Sequence, residues 1–182
     1  MRRKSFILIM VGFVFSLCFT FSCQDKEAMA ELEEMKAQAE LEEQNKEIVL
    51  RLLEELDKKN FGIIKELHSP DAKLYAAGSF EPITVEEVAS GVPMTYEAFP
   101  DYAHSVKDVI AKDDKVAVRW NCSGTHEGEF MGVPATGNTM EYGGLGIFQI
   151  KEGKIVGGWF MEDILWWMQQ LGMELKPKEG EK

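Results

Sequence analysis

The stretch VAVRWNCSGTH, residues 116–126, alternates between two kinds of residue, and this constrains the fold more than any other feature of the chain. Its even positions are Val116, Val118, Trp120, Cys122, Gly124 and His126; its odd positions are Ala117, Arg119, Asn121, Ser123 and Thr125. A period of two belongs to a strand with one face on a core and the other toward water. If the alternation runs to its end, His126 completes the apolar face. The last strand, KIVGGWFMED, puts Ile155, Gly157, Trp159, Met161 and Asp163 on one face if it is equally regular. His126 and Asp163 then end apolar rows, where a carboxyl of raised pKa and a nearby imidazole can move protons. Asp163 also stands directly before the apolar helix ILWWMQQLG, and the local pattern by itself favours a helix cap.

Strands are confined to the second half of the chain. YAHSVKDVIAKDDKVAVRWNCSGTH reads as a hairpin turning at Asp113-Asp114, and TMEYGGLGIFQIKEGKIVGGWFMED as a second turning at Glu152-Gly153. Helices come first. Ile48, Leu52, Leu53 and Leu56 form an apolar stripe continued by Phe61 and Ile64, broken at Asn60-Phe61-Gly62. A turn at Ser69-Pro70-Asp71 leads into a short strand, AKLYAA. Thr84 with Glu87 three residues on is a capping box for the next helix, which Gly91 and Pro93 are expected to split or kink. Helices followed by an antiparallel meander give an α+β fold, a curved sheet packed on helices.

The N-terminus is of another kind. Arg2, Arg3 and Lys4 precede an apolar run from Phe6 to Phe21, then Ser22-Cys23. That is the layout of a secretory signal over 1–22, and the run is shorter than the roughly 20 residues a spanning helix needs. A small residue before Cys23 resembles a bacterial lipoprotein signal, which implies lipidation of Cys23 and a protein of the cell envelope held to a membrane by that lipid. Ordinary cleavage nearby and an uncleaved anchor are the alternatives. Residues 23–45, rich in Ala, Glu, Lys and Met, read as an acidic, partly helical tether; 46–172 as the domain; 173–182 as a charged tail.

Composition excludes some partners. With 20 Lys and Arg against 31 Asp and Glu, the chain has no basic face for a phosphate backbone, so nucleic acid is not an expected partner. Of the three cysteines only Cys122 lies in the domain, and its setting is that of a buried strand thiol. No dinucleotide fingerprint, Walker motif or nucleophile elbow is present. His126, Glu127 and Glu129 lack a metal-binding pattern, and His68 and His104 lie in unrelated segments, so no metal is expected. The glycines of EYGGLGIFQI fit a strongly bent strand, or one leaving space beside a ligand.

Four stretches, AFPD, GTHEGEFMGVPATG, GKIVGGWFMED and QQLG, resemble in order and spacing the SnoaL-like polyketide cyclases, or ester cyclases. The resemblance spans about residues 46–172. It implies the nuclear-transport-factor-2-like fold, N-terminal helices closing a cone made by a highly curved antiparallel sheet. It further implies cofactor-free general acid/base chemistry on a small apolar carbonyl compound held in the cone: aldol cyclisation, isomerisation or hydrolysis. The family's acid/base is an aspartate four residues after a tryptophan, and Asp163 after Trp159 matches it. His126 is then a pocket residue that binds substrate or the developing oxyanion, with Trp120, Phe130, Met131, Tyr142 and Trp159 as walls. The resemblance also makes a homodimer through the sheet an expectation. The alternative is a non-catalytic envelope lipoprotein that binds an apolar ligand or a partner in the same cavity.

Overall fold

The computed structural model describes residues 2–174 and 176, with side chains from Lys26 onward. The secretory signal and the lipidation of Cys23 therefore fall outside the residues whose side chains are described. Helix α1 runs Arg2–Asp57, and the chain divides into two compact units, residues 1–41 and 42–182. In the first unit the tether is helical throughout, and Met29, Leu32, Met35 and Leu41 are exposed. Among the described residues no helix is long and apolar enough to cross a membrane.

In the second unit the end of α1 is followed by α2 (Gly62–Leu67), β1 (His68–Tyr75), α3 (Val85–Ala98), β2 (Ala103–Lys112), β3 (Lys115–Thr125), β4 (Thr139–Lys151), β5 (Lys154–Glu162) and α4 (Ile164–Gln170). The five strands form one sheet in the order β1-β5-β4-β3-β2. It is antiparallel except at one edge, where β1 lies parallel to β5. The expected turn at Ser69-Pro70-Asp71 is instead part of β1. An edge strand tolerates Pro70, which has no N–H to give to a ladder.

The buried stripe of α1 is Val49, Leu52, Leu53 and Leu56, at i, i+3, i+4 and i+7, with Ile48 packed at its margin. These side chains meet Ile63, Ile64 and Leu67 of α2 and the inner face of the sheet; each contributes roughly 1.5–3 kcal/mol by leaving water. The capping box of α3 is present, with Glu87 N–H donating to Thr84 Oγ1 at 3.2 Å and Thr84 N–H to Glu87 Oε2 at 2.7 Å. Pro93 lies inside α3, which is a single helix rather than two.

The alternation holds through β3 and one residue past its end: Val116, Val118, Trp120, Cys122, Gly124 and His126 are all buried. On β4 the buried row is Met140, Tyr142, Gly144, Gly146, Phe148 and Ile150. Gly144 and Gly146 make room for the Trp120 indole, since a Cβ on Gly144 would stand 2.7 Å from its Cε2. Here the glycines accommodate a side chain.

On β5 the regular alternation fails. Ile150 pairs with Ile155 but Gln149 with Gly157, so Val156 is an extra residue, a bulge. One inserted residue exchanges the faces of everything beyond it. Gly158, Phe160 and Glu162 therefore turn inward, and Trp159, Met161 and Asp163 are exposed.

Candidate active site

A cavity of about 370 Å³ lies between the concave sheet and the helices. Leu52, Leu53 and Leu56 of α1, Ile64, Leu74, Val88, Val92, Phe148 and Phe160 make its walls apolar. Its ionisable lining groups are His68, Glu87, His104 and Glu162. Glu87 is committed to the capping box, which leaves two imidazoles and one carboxyl.

His104 reaches the cavity from β2, where it pairs with Cys122 and shares its inward face. Its Nδ1 donates to Asp57 Oδ1 at 2.7 Å, and its backbone N–H donates to the same carboxylate at 3.0 Å. Tyr96 Oη donates to Asp57 Oδ1 at 3.1 Å. Asp57, the last residue of α1, thus ties α3 and β2 to one carboxylate and fixes the His104 ring. Burial alone would lower the His104 pKa; the Asp57 carboxylate and the adjacent Cys122 outweigh it and bring the value up to about 9.

Glu162 enters from the end of β5, paired with Gly144 of β4. Burial raises its carboxyl above the usual carboxylate range, while His104 and the Tyr142 hydroxyl hold it back. The Trp120 ring lies 6.3 Å from that of His104, and its Nε1 is buried without a hydrogen-bond partner beside Gly144. Behind this group the hydroxyls of Tyr102 and Tyr142 meet at 2.5 Å. Burial raises both phenols well above their ordinary value, so they remain neutral donors. One end of the cavity therefore gathers a carboxyl of raised pKa and an imidazole held protonated by its own carboxylate.

The residues marked out by the sequence lie elsewhere, apart from Trp120. Asp163 is exposed and caps α4, accepting the Trp166 N–H on Oδ1 at 3.0 Å. It borders a groove of about 310 Å³ that shares Trp120 and Glu162 with the cavity and is otherwise lined by outward residues such as Arg119, Asn121, Leu145 and Met161. The Val156 bulge puts it there. His126 is fully buried, but in packing rather than in the cavity: its ring stacks on Phe99 at 5.0 Å and Nδ1 lies 3.1 Å from Thr136 Oγ1. The two are therefore not brought together on the cavity.

The proposed walls need the same correction. Trp159 is outside, stacked on Tyr75 at 5.9 Å. Met131 is 71% exposed at the tip of a turn in which Phe130 and Val133 exchange backbone hydrogen bonds. Phe130 packs on Phe99 and Trp167 instead. Tyr142 is buried and stacked on Trp167, behind the cavity surface. Among the described residues no group of three or more His, Cys, Asp or Glu could hold a metal ion.

The family model of the SnoaL-like polyketide cyclases matches residues 47–171, more than half of the chain. The chain belongs to this family. Among solved structures, wild-type IdmH of Streptomyces antibioticus, a candidate polyketide cyclase, is 30% identical with a TM-score of 0.64, over 71% of this chain and 99% of its own. AclR of Streptomyces galilaeus, a candidate hydroxylase, is 26% identical with a TM-score of 0.67, over 72% and 97%. A SnoaL-like protein of Jannaschia shares the fold at 23% identity and a TM-score of 0.67, over 74% of this chain and 95% of that one. No curated protein matches. Within a SnoaL-like frame, the residues that sequence reasoning missed are Asp57, His68, His104 and Glu162. The register of β2 against Cys122 carries the signal for His104, because a neighbour of an inward cysteine is itself inward.

Proposed function

We propose that this SnoaL-like protein performs cofactor-free general acid/base chemistry on a small apolar carbonyl compound, with Glu162 and His104 rather than Asp163 and His126 as the working groups. The observation that carries this reading is Glu162 on an apolar cavity with its pKa raised, next to a His104 held protonated by Asp57. A carboxylate of raised pKa is the stronger base, and a protonated imidazole stabilises the oxyanion formed when a carbon acid is deprotonated.

In the proposed step a Glu162 oxygen takes the proton alpha to the carbonyl and becomes a neutral acid. The electron pair moves into the carbonyl, and the resulting enolate oxygen accepts a hydrogen bond from His104. The enolate carbon then attacks a second carbonyl in the same molecule, as in an aldol cyclisation, or is reprotonated at another position, as in an isomerisation. Both outcomes share proton removal. The test is deuterium uptake at the alpha carbon of simple aryl ketones in heavy water with the full chain, read by NMR, with Glu162→Gln alongside.

The second reading is a non-catalytic envelope lipoprotein that binds an apolar ligand in the cavity. It is favoured by the basic start, apolar run and Ser22-Cys23 of the leader-like residues. It predicts ketone binding without deuterium uptake.

A further inference from the structure

Glu162 and His104 leave one imidazole of the cavity unused. His68 ends α2 and begins β1, is 5% exposed, and lines the cavity. Its Nδ1 lies 2.8 Å from the Ile64 carbonyl oxygen. A carbonyl only accepts, so Nδ1 carries the hydrogen and Nε2 of the neutral ring is an acceptor. Among the described residues Nε2 makes no hydrogen bond, and it is not sealed from the cavity as Trp120 Nε1 is. Burial lowers the His68 pKa, which keeps the ring neutral.

His68 also lies far from the proposed reacting end. It pairs with Ile155 at the start of β5, while Glu162 closes the same strand. Those positions are separated by roughly 20 Å of strand at about 3.3 Å per residue. Between them the lining is aliphatic and aromatic: Ile64, Leu74, Phe148 and Phe160. The cavity therefore carries acid/base groups at one end, a neutral acceptor at the other, and apolar surface between.

We propose that His68 Nε2 is a specificity-determining acceptor for a hydroxyl group, so that the cavity selects apolar carbonyl compounds carrying an alcohol or phenol remote from the carbon that reacts. This rests on the proposed function for which end reacts, but the hydroxyl subsite is read by binding alone. A hydroxyl matches because it donates to Nε2. An ether oxygen cannot, and it would face the imidazole lone pair with its own. A ligand with hydrogen at that position leaves a desolvated acceptor unpaired.

The test uses the full chain and aryl methyl ketones of increasing spacer length, each as the 4-hydroxyphenyl, phenyl and 4-methoxyphenyl compound, with dissociation constants from calorimetry. At the spacer length that spans the cavity, the hydroxyphenyl compound is expected to bind about fivefold or more tighter than both counterparts, as one net hydrogen bond gives. His68→Phe removes that preference and leaves the phenyl compounds bound within about twofold. The wild-type comparison decides the matter even if His68→Phe does not fold. Methoxyphenyl binding equal to hydroxyphenyl, no preference at any length, a preference surviving His68→Phe, or no binding by the whole series would each overturn the proposal. The same preference in Glu162→Gln separates the subsite from the chemistry: its survival with deuterium uptake lost supports both readings. Its survival with wild-type protein inert keeps the hydroxyl subsite and sinks only the catalytic one.

Discussion

His104 Nδ1 stands 2.7 Å from Asp57 Oδ1, and this contact joins the last residue of α1 to the second residue of β2 beside the candidate site. The same carboxylate accepts the His104 backbone N–H, so both the ring and its strand are held. Asp57→Asn should bring the His104 pKa down from about 9 toward 6.5, because a neutral amide no longer favours the charged ring. The sign of the linkage is fixed: a histidine whose folded pKa is raised contributes stability below its unfolded pKa and loses it as pH rises through the folded value. Wild-type protein should therefore lose stability to urea between pH 6.5 and about 9, and Asp57→Asn should show a flatter profile there. An NMR titration of the His104 ring checks the assignment; an unmoved midpoint in the variant would contradict it.

Asp163 should behave as a structural cap. Asp163→Ala leaves the Trp166 N–H without its acceptor and is expected to cost about 1 kcal/mol of stability. Asp163→Ser, which can still accept that bond, should recover most of the loss. Deuterium uptake into ketones should stay within about twofold of wild type in both variants, since neither removes a group that touches the reacting atoms. A drop like that of a missing base would return the catalytic role to Asp163.

Gly144 is set by the Trp120 indole. Gly144→Ala places a methyl group 2.7 Å from Trp120 Cε2, inside any ordinary contact distance, and β4 cannot retreat from its two neighbours. The expected cost is about 1–3 kcal/mol, with Trp120 displaced from beside His104. Trp120 fluorescence and urea unfolding report the two effects separately. Unchanged emission with unchanged stability would show that the indole has space to move.

The leader makes a separate prediction. Wild-type chain expressed in a bacterial host should incorporate radiolabelled palmitate and sediment with membranes. Cys23→Ser should lose the label, because the sulfur that carries the lipid is gone. Label retained in Cys23→Ser, or absent from the wild type, would exclude lipidation at this position.

Much of the fold was legible because alternation and helical spacing are direct consequences of one-sided burial. β3 kept its period from Val116 to His126, and Thr84 with Glu87 announced the start of α3. The site was less legible for a specific reason. Val156 adds one residue to β5 opposite β4, and the Gly157-Gly158 pair beside it fits a bulge and a close approach of another side chain equally well. Beyond it every side chain lies on the face opposite to the one a regular strand would give it, so Glu162 and Phe160 turn inward in place of Asp163 and Trp159. His126 illustrates a different limit: alternation placed it correctly inside, yet inside meant against Phe99 rather than on the cavity. His104 and Asp57, 47 residues apart, meet only through the packing of α1 against β2.

The central claim is that Glu162 removes a proton from carbon. Wild-type full-length protein in heavy water should exchange the alpha hydrogens of a bound aryl ketone, with a rate rising as Glu162 ionises and falling as His104 deprotonates near pH 9. Glu162→Gln should lower that rate about 100-fold or more, the usual contribution of a positioned base, while binding the ketone as wild type does. Exchange that persists in Glu162→Gln would contradict the account.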